Sequence, residues 1–145
     1  MRLLTALAFL ALAAVTAGAA DDPKDAAKKL EGTYEVVDFL VGGKPDAKKD
    51  EVKSVEIKDG EIIIKLDKKA EAAKFTLDPS QKPAHIDIRP GGDEKVMGIY
   101  EVKETDKGTE LTLAFGKEGK SARPKDFKGE GKDEMVLKLL RKKAK

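Results

Sequence analysis

The chain has 145 residues, with 29 Lys and Arg against 27 Asp and Glu, a single histidine and no cysteine. Balanced charge of this kind gives a hydrated surface and no electrostatic footprint for nucleic acid. The lack of cysteine excludes a thiol enzyme, a zinc ribbon and an iron–sulfur protein, and it leaves stability to packing and the sheet ladder.

Residues 1–20 read as a secretory signal peptide. Arg2 supplies the positive end, Leu3 to Val15 is apolar apart from Thr5, and Ala17-Gly18-Ala19 offers the small residues that a signal peptidase reads. The apolar run is too short, and its flank too rich in small residues, for a good membrane anchor. Cleavage after Ala19 or Ala20 would start the mature chain near Asp21, and with no cysteine beyond it a lipid-modified N-terminus is excluded. Residues 21–145 are expected to form one domain, exported to the periplasm or beyond the cell, with no stable membrane insertion once the leader is removed.

Asp22-Pro23 opens a short helix, because Asp can cap free amides and Pro is tolerated at the first helical position. Ala26, Ala27 and Leu30 share one face of it, and Gly32 is a natural stop. The helix is expected to cover one end of a sheet. Thr33 to Val41 follows as a strand with imperfect alternation: Val36 and Val37 are adjacent, as are Phe39 and Leu40. A bulge, or burial on both faces, explains that. Gly42-Gly43-Lys44-Pro45 ends the strand.

Lys53 to Lys58 and Glu61 to Leu66 flank Asp59-Gly60, the strongest hairpin signal in the chain. Ile62, Ile64 and Leu66 fall on one face, as do Ala73, Phe75 and Leu77 of the next strand. Asp78-Pro79-Ser80-Gln81-Lys82-Pro83 is a turn stiffened by two prolines. Ala84 to Arg89 alternates cleanly with Ala84, Ile86 and Ile88 inward, and Pro90-Gly91-Gly92-Asp93 breaks it. Val96 to Lys103 and Glu110 to Phe115 form a second hairpin. Gly116 to Asp133 is a long Gly- and Lys-rich loop, and Met135, Leu137 and Leu139 line the last strand. The basic end, Lys138 to Lys145, reads as a solvated strand end. Short strands at this spacing, mostly joined by tight turns, predict an all-β antiparallel meander closing into a barrel of about eight strands with one N-terminal helix.

Five phrases carry a resemblance to a known group. They are Leu30-x-Gly32-Thr33-Tyr34, Gly42-Gly43-Lys44-Pro45, Asp78-Pro79-Ser80-x-x-Pro83 with Ile86-Asp87-Ile88, Gly98-Ile99-Tyr100, and Arg123-Pro124-x-x-Phe127. Together they resemble an uncharacterised, often exported planctomycete domain family with a lipocalin-like barrel, over Leu30 to Arg141. The resemblance implies a fold and no established activity. Lipocalins open their first strand with Gly-x-Trp and pack a late Arg over the ring. Here the phrase is Gly32-Thr33-Tyr34, with Tyr for Trp, and the resemblance implies that Arg141 covers Tyr34 in a structural barrel-end pair.

His85, Asp87 and Arg89 share a strand face, and a histidine beside a carboxylate can act as a general base. The opposite face is the apolar one, so this triplet is expected to face solvent, with no nucleophile in reach. No catalytic residue is assigned, and the chain is not expected to be an enzyme. One His without Cys would leave any metal site to carboxylates, and the Asp59 and Asp106 segments read as turns instead; no metal or cofactor is expected. The long loop has two readings: Arg123 reaching for an anionic ligand group while Phe127 closes the barrel mouth, or Phe127 tacking the loop to the wall. The candidate ligand-contacting residues are Phe39, Phe75, Tyr100, Phe115, Arg123 and Phe127. The expected function is a non-catalytic exported binding protein holding a small apolar molecule in the barrel. The alternative is a structural or protein-interaction module of the cell envelope with a filled core.

Overall fold

The computed structural model describes residues 22–91, 94–116 and 122–143. The expected leader, Asp21, Gly92-Asp93, residues 117–121 of the long loop and Ala144-Lys145 lie outside the described residues. The elements are α1 (Pro23–Leu30), β1 (Gly32–Val41), β2 (Lys44–Pro45), α2 (Lys48–Glu51), β3 (Val52–Lys58), β4 (Glu61–Leu66), β5 (Ala70–Asp78), β6 (Ala84–Arg89), β7 (Val96–Thr105), β8 (Gly108–Phe115) and β9 (Met135–Lys142). The sheet order is β2-β1-β3-β4-β5-β6-β7-β8-β9, every pair is antiparallel, and β1 also pairs with β9. That last pairing closes eight strands into a barrel and removes its edges. The two-residue β2 is an extra strand against the end of β1.

The local signals behave as their chemistry dictates. Asp59 and Gly60 both take left-handed backbone, φ 51° and 76°, the conformation a two-residue hairpin needs to match the strand twist. In β1 the register against β9 shifts between Val36 and Asp38, so Val37 is the extra residue of a bulge and is 48 % exposed. The bulge resolves the broken alternation. Tyr34 and Val36 point inward before it, Phe39 points inward after it opposite Leu137, and Leu40 faces outward opposite Val136. The expected N-terminal helix is α1, and a second helix, α2, forms a single turn after β2. Asp46 explains it, because its side chain accepts from the Lys48 amide at 2.8 Å and starts a turn.

The barrel has a sealed end and an open end. At the sealed end α1 lies across the interior with Ala26 and Leu30 buried in the main core beside Leu77 and Tyr34. Asp22 caps its first turn by accepting from the Lys24 amide at 2.9 Å. Its last carbonyls, which a helix end leaves without partners, are taken up largely by barrel side chains. The Tyr34 hydroxyl donates to Leu30 O at 2.7 Å, and the Arg141 guanidinium donates to Lys29 O at 3.2 Å and to Glu31 O. The same guanidinium lies over the Tyr34 ring, 5.5 Å from its centroid, and its other nitrogen donates to Thr109 Oγ1 at 3.1 Å. Thr109, buried, donates in turn to the Glu104 carboxylate at 3.0 Å. Gly32, at φ 144°, makes room: a Cβ there would stand 2.5 Å from Arg141 Cδ.

Arg141→Lys should cost roughly 2–4 kcal/mol, since one ammonium cannot serve two carbonyls, a hydroxyl and a ring at once; urea unfolding followed by circular dichroism checks it. Tyr34→Phe should cost about 1 kcal/mol at neutral pH by orphaning Leu30 O. Burial also holds the Tyr34 hydroxyl above its ordinary value of 10.0. Its contribution is therefore complete below pH 10 and is lost as pH rises through the folded-state value. The Phe variant should lose less stability than the parent between neutral pH and strong alkali, which the same unfolding series reads.

Candidate functional site

The open end of the barrel is built by the far ends of the same strands. β1 rises to it after the bulge, carrying Phe39; β8 arrives with Phe115; β9 leaves from it with Met135 and Leu137. Val52 at the start of β3 and Ile64 and Leu66 at the end of β4 complete the wall. These side chains line a cavity of about 460 Å³ that opens to solvent, walled mainly by aliphatic and aromatic carbon. A second recess of about 400 Å³ adjoins it under β5, β6 and β7, and the two share Ile64, Glu71, Phe115 and Leu137. The sealed half of the barrel is filled by Ile57, Ile86, Leu111 and Leu139, all buried. The interior is thus a cup with a packed base.

The rim of the cup is charged. α2 contributes Lys48, Lys49 and Glu51, and the β4–β5 turn and the first residues of β5 contribute Lys69 and Glu71. Lys69 is paired with Glu71 at 2.6 Å. That pair is exposed on both sides, and each partner moves the other in the expected sense: the Glu71 carboxyl is held down and the Lys69 ammonium held up.

The six residues singled out as ligand contacts separate into three groups. Phe39 and Phe115 stand in the cavity wall. Phe75 and Tyr100 are buried members of the main core: Phe75 borders shallow recesses beside α1 and Gly60, and Tyr100 stands opposite Leu113. Arg123 and Phe127 lie outside the barrel. The Arg123 guanidinium donates to Gly98 O at 2.7 Å and lies 2.8 Å from Asp87 Oδ1, on the outer face of β6 and β7. Phe127 packs against a second, external core of Ile99, Ala114 and Val136, which Leu40 joins. The described part of the long loop therefore lies on the wall and not across the mouth. Within it Pro124 and Gly129 are buried, and a Cβ on Gly129 would meet Val136 Cγ2 at 2.7 Å.

Val36, Val52, Leu66 and Met135 line the cavity as well, without having been counted among the ligand contacts. Their inward parity was readable for Leu66 and Met135. What parity does not give is height along the barrel, and height separates cavity wall from packed base.

The His85, Asp87 and Arg89 face is engaged elsewhere. Asp87 is held by Arg123 and, at 3.5 Å, by Lys95. A mixed-charge recess of about 380 Å³ lies beside it, edged by Lys74, Arg89, Asp59 and Glu61, so cations and anions there offset one another. Asp78, at the turn before this strand, has its carboxyl held below the usual range by the Ser80 hydroxyl and the Gln81 amide, which stiffens the turn. Among the described residues no group of three His, Asp or Glu is arranged to hold a metal ion.

No protein-family model matches the chain, and comparison with curated proteins and with solved structures finds no match.

Arg123→Ala should release the loop from the wall: we expect a loss of about 1–3 kcal/mol, from an orphaned Gly98 carbonyl and an unpaired Asp87. Limited proteolysis should cut the 116–134 segment markedly faster than in the parent.

Proposed function

We propose that the protein is a non-catalytic binding protein that holds a small, mostly apolar molecule in the open end of its barrel. The observation that carries this is the cavity of about 460 Å³ walled by Phe39, Phe115, Leu137 and their aliphatic neighbours. Its size falls in the range of small-molecule sites, which bury most of a ligand against apolar walls with a few polar groups at the edge. An unfilled apolar interior is otherwise a cost in stability, because its lining forgoes contacts that a packed core would make. A bound ligand restores them. The stacking of Arg141 on Tyr34 supports the resemblance to exported lipocalin-like domains, and with the leader-like residues 1–20 it supports a site of action outside the cytoplasm.

The second reading, an envelope interaction module, draws on the packed lower half of the barrel and on an outer face covered by the loop. It leaves the open upper half without a role.

Native mass spectrometry on the protein purified from its own source tests the two. An adduct of defined mass, lost on denaturation, is the expected result, and a clean apo mass favours the interaction module. Leu137 borders both recesses, so Leu137→Trp should fill the cavity and abolish the adduct, at an overpacking cost of about 1–3 kcal/mol. Met135→Trp, nearer the rim, serves if the first variant does not fold.

A further inference from the structure

We infer that the occupant of the barrel mouth is a single-chain amphiphile with an anionic head, its tail in the cavity and its head on α2. The inference rests on the reading of the mouth as a binding site and names the ligand class. Five charged side chains border the cavity: Lys48, Lys49 and Lys69 against Glu51 and Glu71. Lys69 is committed to Glu71. Lys48 and Lys49 have no ion-pair partner among the described residues, and only Glu51 opposes them at the rim.

The position of these two lysines is built, not incidental. Asp46 donates its amide to Phe39 O at 2.9 Å, which fastens the α2 turn directly above the Phe39 wall. The Asp46 carboxylate is turned onto the Lys48 amide, the Lys49 amide donates to Asp46 O at 3.3 Å, and Asp50 does not border the cavity. Two adjacent, exposed lysines therefore stand at the edge of an apolar well, with their ammonium groups within reach of a head group at its mouth. A ligand that satisfies both features has an apolar tail and a negative head. A neutral hydrocarbon would use the well and leave the lysines idle, and a cationic amphiphile would be repelled by them. The well itself favours longer tails, by about fourfold per buried methylene until it is full.

Isothermal titration of the purified protein with dodecanoate, dodecyl phosphate and dodecan-1-ol tests this. We expect both anions to bind several-fold more tightly than the alcohol, as two exposed lysines can provide, with an advantage that shrinks as salt rises. The stronger of the two anions tells a carboxylate head from a phosphate head. Lys48→Gln combined with Lys49→Gln should lower the anions to the affinity of the alcohol, with the thermal midpoint confirming that the variant is folded. Equal binding of all three ligands, or an anion preference that survives the double substitution, would overturn the anionic-head assignment and leave the cavity reading standing. No binding by any of them, in parent or variant, would remove both.

Discussion

The guanidinium of Arg141 is the group on which the sealed end depends. Among the described residues it forms no ion pair with a carboxylate. Its partners are two backbone carbonyls at the end of α1, a buried threonine hydroxyl and an aromatic face. A planar group with several donors suits this mixture in a way that a point charge does not. The result is that the N-terminal helix with the adjoining start of β1, the start of β8 and the end of β9 share one polar hub. Because β1 and β9 are also the strands whose pairing closes the barrel, the hub and the closure reinforce each other. Leu30, buried at the last turn of the helix, adds the apolar half of the same junction; burying such a side chain stabilises by about 1.5–3 kcal/mol.

With one end secured this way, the other is free to be imperfectly packed. The cup at the open end loses contact energy that a filled interior would have, and the sealed end, the continuous antiparallel ladder and the external core around Val136 compensate for it. That external core has a second consequence. By holding Phe127 on the outside of the wall, it keeps the described part of the loop away from the mouth, and the charged residues that border the cavity come from α2, the β4–β5 turn and the start of β5.

Much of the fold was legible because β structure writes itself locally. Alternation gave β4 and β6 their observed limits, and Asp59-Gly60 announced its turn through backbone requirements that few other residues meet. The doubled Val36-Val37 and Phe39-Leu40 pairs signalled either a bulge or burial on both faces, and the register shift at Val37 shows the bulge. The site was harder to read for a physical reason. Phe39, Phe75 and Phe115 are the same residue type with the same inward parity, yet two stand in the cavity wall and one in the main core, since position along the barrel axis depends on which end the helix covers. Arg123 offered no local clue to its partners, Asp87 and Gly98, which only the folded wall brings beside it. The α2 turn, four charged residues, carried no apolar periodicity at all, and its importance lies in where Asp46 anchors it.

The bulge at Val37 has a wider meaning for how the protein can change. One additional residue resets the inside–outside phase of β1 halfway along its length. Before it, Tyr34 belongs to the structural hub and Val36 already borders the cup; after it, Phe39 belongs to the cup wall. The two halves of one strand are therefore decoupled. Substitutions at Phe39 can reshape the cup without disturbing Tyr34, and the closed base is kept while the walls above it vary.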